Sequence, residues 1–386
     1  MKHFFTSESV TRGHPDKVCD QIADAVLDDI LEHDLTARVA CEVTAVTEKV
    51  HIMGEITSTH MPDFEKIARS VIRDIGYTKH GCGFDADNCK IELDIHGQSP
   101  DIALGINRRY AEDNGAGDQG MMFGYACGET AELMPLPISL ANKLSKRLEY
   151  VRTSDIIPNL LPDGKTQVTV EYDDGKPVRV SAVIVSTQHE SCIDIDTLRK
   201  KIVDKVVLPT LPDTLIDDKT SIFINPTGRF TLGGPAADSG LTGRKIIADT
   251  YGGYSRHGGG SFSGKDPTKV DKSGAYMARY IAKNIVSSGM ADRCEVQLAY
   301  AIGLAEPVSV YICTFSTGRA GDDIIAKWVC DNIDMRPEMI IRRFNLRAPI
   351  YSRLSCGGHF GENAHGMGWE KTDLAEKLRH DMQINI

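Results

Sequence analysis

An α+β fold of three similar helix, β-hairpin and helix units is what this sequence predicts, and three observations lead there. Apolar residues recur at helical spacing and then switch to strand alternation in three places. The hairpins so marked begin roughly every 128 residues, a period that points to repeated units. A chain of 386 residues with 41% hydrophobic and 25% charged residues is long enough for two or three domains with cores of their own. Such units put helices on one face of a mostly antiparallel sheet and leave the other face to be covered. We therefore expect a pseudo-threefold arrangement with sheets packing at a dimer interface.

The first unit, residues 1–110, starts with a helix from Pro15 to about His33, on which Val18, Ile22, Val26 and Ile30 share one stripe. Strands follow at 39–46 and 50–56. Phe64, Ile67, Val71 and Ile75 define a second helix that Gly76 is suited to end. The strand CKIELDI closes the unit. In the second unit, residues 111–232, a helix near 137–150 precedes strands at 166–172 and 178–186 around the turn Asp173-Asp174-Gly175, then a helix near 194–207 and the strand SIFIN. The third, residues 233–386, has a helix near 269–287, strands near 294–301 and 308–314, and a helix near 322–333. Segments are expected to exchange between these units in space. The polar, glycine-bearing stretch from Gly97 reads as a functional loop, a gate over a site.

A net charge of -10 argues against a general nucleic-acid or membrane-surface binder. No apolar run has signal or spanning length. The ten cysteines are scattered without a C-x-x-C pair, which speaks against a disulfide framework or a zinc site. A reducing, cytoplasmic compartment is the expectation.

Several short stretches carry chemistry. In GHPDK, Pro15 suits the first helical position, His14 the N-cap, and Asp16 and Lys17 the first turn. This is either a decorated helix start or an anion site with a carboxylate for a divalent cation. Glu42 and Glu55 are expected opposite each other in the first hairpin, as solvated glutamates or as a cation or amine site. GAGDQG, with Asp118, and DGK, with Asp163 and Lys165, are glycine-bearing turns before strands. Between 225 and 271, Arg229, Arg244, Lys245, Lys265 and Lys269 sit among glycines, a combination that suits a polyphosphate. GGGSFSGKD has the spacing of a P-loop, but Asp266 stands where Ser or Thr is needed and no strand core precedes it. Asp266-Pro267 instead suggests a helix N-cap, and Asp16 and Asp271 are the candidate magnesium ligands. His359 and His365 lack cysteine partners for a metal.

Taken in order, GHPDK, GAGDQG with MFGYA, DGK, GRF, DSGLTGRK and GGGSFSGKDPTKVD resemble the S-adenosylmethionine synthetase family, from the first residues to WEKTD at 369–373. The resemblance implies three similar domains, a homodimer with shared active sites that is often paired into a homotetramer, and adenosyl transfer. In that reaction methionine sulfur attacks C5′ of ATP, and the released tripolyphosphate is hydrolysed to pyrophosphate and phosphate. It implies catalytic roles for His14, Lys165, Arg244, Lys245 and Lys265. ATP contacts would add Asp163, Arg229, Phe230, Asp238 and Ser261. Methionine would be held by Glu55, Gln98, Asp118, Asp238 and Lys269. Mg2+, two per site, would sit on Asp16 and Asp271, and K+ on Glu42. Ser261 stands where many members have Ala, and Lys272 and Gly274 replace commoner Arg and Ala. A kinase-like ATPase and a non-catalytic ATP-binding regulator are the competing readings; the first lacks its Ser/Thr, and the second would make no sulfonium.

Overall fold

The computed structural model describes residues 2–97, 112 and 114–383. Its first strand, β1 (His3–Val10), was not expected. The first helix, α1 (Pro15–His33), starts as its sequence dictates, with Pro15 at the first position and His14 as N-cap. Val18, Ile22, Val26 and Ile30 are all buried. Strands β2 (Arg38–Val46) and β3 (Lys49–Thr57) form a hairpin, and α2 (Phe64–Ile75) runs from Asp63, whose carboxylate accepts the Lys66 N–H, to Gly76. Gly76 has φ of 111°, the left-handed conformation that glycine takes at a helix end. β4 (Lys90–His96) lies parallel to β3.

The middle of the chain supplies β5 (Gly120–Cys127), α3 (Leu136–Thr153), the long hairpin β6 (Leu160–Asp173) and β7 (Lys176–His189), α4 (Ile195–Ile202), and β8 (Ser221–Ile224). The α-helical part of α4 ends at Ile202, earlier than expected, and a wider helical turn continues it over Val203–Val207. A two-residue strand, β9 (Gly240–Leu241), follows. The last part holds α5 (Val270–Ser287), β10 (Arg293–Tyr300), β11 (Ser309–Cys313), α6 (Asp322–Asn332), α7 (Pro337–Phe344) and α8 (Ala375–Asp381).

The α+β class and the three helix and hairpin units hold. Three sheets result, in the orders β1-β6-β7-β8, β11-β10-β5 and β4-β3-β2-β9. Each hairpin gains a strand from a distant part of the chain. β1 pairs antiparallel with β6, β5 with β10, and β9 with β2. The core falls into a large cluster spanning the first and last hairpins and a second around the long central hairpin. All ten cysteines are free thiols. No helix among the described residues is long and apolar enough to cross a membrane.

Three local expectations are corrected. The hairpin turn is Thr47-Glu48, so Val46 pairs with Lys49, Glu42 faces Met53, and Glu55 faces Ala40. The two glutamates are thus diagonal neighbours on one face rather than directly opposed. Glu48 makes this possible by adopting φ of 57° without glycine's freedom. Asp163-Gly164-Lys165 lies inside β6, beside a register shift between Leu160 and Gly164, rather than in a turn before the strand. Finally, α5 starts at Val270 with Lys269 as N-cap. Asp266 does not cap it; its buried carboxylate instead accepts the Val39 N–H at 2.8 Å and the Lys269 ammonium at 2.6 Å.

Candidate active site

Asp16, Asp20, Asp24 and Asp28 recur every fourth residue of α1, and so line one face of it. Each takes backbone N–H groups from a loop. Asp16 accepts from Leu241 at 3.0 Å, Asp20 from Gly243 at 2.8 Å, Asp24 from Gly264 at 2.9 Å, and Asp28 from Tyr351 and Ser352 at 2.9 and 2.7 Å. The segments at 241–243 and 264–266 are stitched to the edge of β2 that faces away from β3. Thr242 N–H donates to the Val43 carbonyl, Cys41 N–H to the Gly264 carbonyl, and Asp266 N–H to the Val39 carbonyl. Helix and strand edge thereby hold the two glycine-rich basic segments from both sides.

The first group of candidate residues gathers at the start of α1. The His14 ring accepts the Asp16 N–H at Nδ1, over 3.2 Å, which leaves the proton of the neutral ring on Nε2. Burial, and then the positive charge of Lys245, push the pKa of this imidazole down to about 3 against the pull of Asp16; Lys165 adds to the depression. His14 is therefore a neutral N–H donor at physiological pH. Lys245 pairs with the Asp16 carboxylate, and Arg244 Nε is 3.9 Å from it. Burial would raise the pKa of Asp16, but the Lys245 hydrogen bond and the Leu241 N–H prevail and hold it below the usual carboxylate value. Lys165, exposed on β6, pairs in register with Val10 of β1, four residues before His14.

Asp163 is buried beside this group and accepts the Gly234 N–H at 2.8 Å. Burial raises its pKa to about 6, opposed by the Gly234 bond and by Lys165. Phe230 is fixed by two bonds with His189: its N–H donates to Nε2 over 3.2 Å, and its carbonyl accepts the His189 N–H. The ring lies so near Gly233 that a Cβ there would come within 2.9 Å of it. Arg229 and Asp238 are exposed.

A second group surrounds the start of α5. Lys265 Nζ is 2.8 Å from Asp271, in the first turn. The Asp271 carboxylate rests on Gly260, where a Cβ would fall 2.2 Å from it, so only glycine leaves that cradle open. Glu42 is exposed at its tip, yet the protein around it raises its pKa by partial burial; Lys265 opposes this, and Asp20 and Glu55 reinforce it. Ser261 abuts Gly243, so the two glycine-rich loops touch. Lys269 is occupied by Asp266.

Other residues singled out from the sequence make contacts of their own. Glu55 reaches His96 at 3.3 Å, and exposed Asp118 accepts only the N–H of Gln119 among the described residues. Gln98 and the rest of the expected gate lie outside the described residues. His359 is buried with Nδ1 2.8 Å from the Tyr276 hydroxyl, whereas His365 is exposed, so the two occupy different environments.

Sequence reasoning missed Asp20 and Asp24, and gave Lys17 only as a first-turn donor of the anion site. Lys17 is fully enclosed between Asp20, at 2.9 Å, and Asp249. The signal was available: Asp16, Asp20 and Asp24 share one face of a helix start rich in apolar neighbours, and acids buried there need donors.

Asp16 and Asp271 each offer hard carboxylate oxygens next to a cationic side chain, a donor type that suits Mg2+. Comparison with known families gives three matches along the chain. Residues 2–100 match the S-adenosylmethionine synthetase N-terminal domain, 113–230 the central domain, and 232–371 the C-terminal domain.

Proposed function

The chain belongs to the S-adenosylmethionine synthetase family, a methionine adenosyltransferase forming S-adenosylmethionine from ATP and methionine, and from that premise we propose how its residues share the work. A lone pair on the methionine sulfur forms the bond to ribose C5′, the C5′–O bond breaks, and its electron pair leaves with tripolyphosphate. Water then cleaves tripolyphosphate to pyrophosphate and phosphate.

The observation that carries this reading is the neutral His14 among Lys165, Arg244, Lys245 and Asp16 at a helix N-terminus. A thioether has no proton to lose, so the first step calls for alignment and leaving-group stabilisation rather than a base. His14 fits that need as a donor through Nε2–H, while the α1 N-terminus and the cations offset the growing negative charge. Lys265 is the matching cation of the second group.

Asp16 and Asp271 would hold Mg2+, which neutralises polyphosphate charge when bound. Glu42 would take K+. Asp163, Arg229, Phe230, Asp238 and Ser261 complete the nucleotide side, and Glu55, Gln98, Asp118, Asp238 and Lys269 the methionine side. A homodimer would complete each site with residues from both subunits, and a homotetramer would pair two such dimers. Exposed Met121 and Tyr311, on the outer face of the β11-β10-β5 sheet, favour such packing. A cytoplasmic location agrees with free thiols throughout.

The test is incubation with ATP, methionine, Mg2+ and K+, followed by detection of the sulfonium together with pyrophosphate and phosphate. Asp16→Asn and Asp271→Asn should each raise the Mg2+ needed for half-maximal rate. ADP as the main product, or an unchanged Mg2+ requirement in both variants, would overturn the assignment.

A further inference from the structure

The last turns of α1 carry a second cluster, remote in sequence from the carboxylates assigned above. Asp29 and His33 are four residues apart and so share a helix face. His60, from the connection between β3 and α2, lies over them. Its Nε2 is 2.8 Å from an Asp29 oxygen, and its ring stacks on that of His33 with centroids 4.0 Å apart at 21°. One ligand atom from each of the three falls within 4.8 Å of the others.

The His33 tautomer is set by the backbone. Its Nδ1 lies 2.8 Å from the Asp29 carbonyl, an acceptor only, so Nδ1 carries the proton and the neutral ring offers the Nε2 lone pair. A carbonyl behind the distal nitrogen is what orients imidazoles that bind metals. His60 is held from the other side. Asp34, which ends α1, accepts the Ser58 hydroxyl at 3.1 Å and the Thr59 N–H and hydroxyl at 2.8 and 3.1 Å, and Ser58 Oγ accepts the His60 N–H. The connection is thus fixed before any contribution from Asp29.

We propose that Asp29, His33 and His60 form a site for a nitrogen-preferring divalent cation, Zn2+ first among them, linking the end of α1 to the β3–α2 connection. Two imidazoles and one carboxylate are a zinc donor set and a poor one for Mg2+, whose preference is for oxygen. On binding, the His60 ring turns off the face of His33 so that the two Nε2 lone pairs converge, its proton moves from Nε2 to Nδ1, and its Nε2 replaces the Asp29 hydrogen bond with a metal bond. Partial exposure of the cluster leaves room for water as the fourth ligand. The cation ties together elements that are otherwise joined by hydrogen bonds, so it stabilises the fold by mass action.

The test uses the full-length chain, stripped of metal and titrated with Zn2+ by calorimetry and with Co2+ by absorption spectroscopy. We expect one strong Zn2+ site and a Tm that rises with Zn2+, both lost in His33→Ala and in His60→Ala, while any response to Mg2+, owed to the carboxylates assigned above, persists in both variants. His60→Gln, which retains a hydrogen-bonding side chain, covers the case in which His60→Ala fails to fold. Zn2+ binding and Tm response that persist in the folded variants would assign the metal to other residues, such as exposed Cys82, Cys192 or Cys330, and overturn the proposal. Absence of Zn2+ binding in the unmodified chain would do the same.

Discussion

The Asp24 carboxylate accepts the Gly264 N–H at 2.9 Å, one residue before Lys265, so a buried acid on α1 sets the position of a candidate catalytic cation. Asp20 does the same for Gly243, which precedes Arg244 and Lys245. These acids touch none of the expected substrate groups; they are positioning residues. Asp24 also compensates Lys272, whose Nζ has no hydrogen-bond partner among the described residues and sits 3.6 Å over the Tyr351 ring. Burial pushes the pKa of Asp24 up and that of Lys272 down, and each draws the other back toward the charged form.

Asp24→Ala removes both supports, and stranding a buried charge typically costs about 3–5 kcal/mol. Asp24→Asn keeps an acceptor for Gly264 but not the charge facing Lys272. Urea unfolding should rank the unmodified protein above Asn, and Asn above Ala. If Asn and Ala are equally destabilised, the Gly264 bond contributes nothing. Among folded variants, turnover should stay near normal in Asn and fall in Ala, because Asn keeps the Gly264 bond that helps to place Lys265.

Lys265→Ala tests the cation itself. A group that acts mainly on transition-state charge is worth about 3 kcal/mol, roughly a hundredfold in turnover. KM for ATP should change less than kcat if the contact strengthens as the leaving group forms. Near-normal turnover in a folded variant would remove Lys265 from the leaving-group role.

How much of this was legible in the sequence depended on whether the cause was local. The start of α1 was readable because Pro15 and His14 act within one turn. The crowding of cations among glycines was readable for the same reason. Exchange of segments was expected, but not which strands take part, since β1, β5 and β9 find partners more than a hundred residues away and alternation names no partner. The hairpin register failed by two residues because Glu48 takes a left-handed conformation that its side chain does not advertise. Asp266-Pro267 imitated a cap, yet the Asp266 carboxylate is used up by Val39 and Lys269.

That corrected register refines the role proposed for Glu42. As a diagonal rather than opposed neighbour of Glu55, it still shares a face with it, and repulsion between them contributes to its raised pKa. A monovalent cation held there would relieve the repulsion and fix how Glu55 is presented. Glu42→Gln should flatten the dependence of rate on K+ while leaving Mg2+ dependence nearly unchanged. A K+ activation curve that overlays that of the unmodified protein would refute the role.

Asp163 supplies a prediction in pH. Its folded pKa, about 6, exceeds its ordinary value of 3.8, chiefly through burial. The folded state therefore binds the proton more tightly than the unfolded chain. The stability this lends is complete below the unfolded value and is lost as pH rises through the folded one, so at neutral pH the ionised, buried carboxylate is a cost on the order of 3 kcal/mol. Asp163→Asn carries no charge at any pH and keeps an acceptor for the Gly234 N–H. The two proteins should be about equally stable near pH 4, with the variant gaining steadily up to about pH 7. Donors on a bound nucleoside would favour the ionised form, so saturating an ATP analogue should narrow the gap. A stability difference that stays constant between those pH values would mean that Asp163 is not held as a raised carboxyl, and its place on the nucleotide side would lose its physical basis.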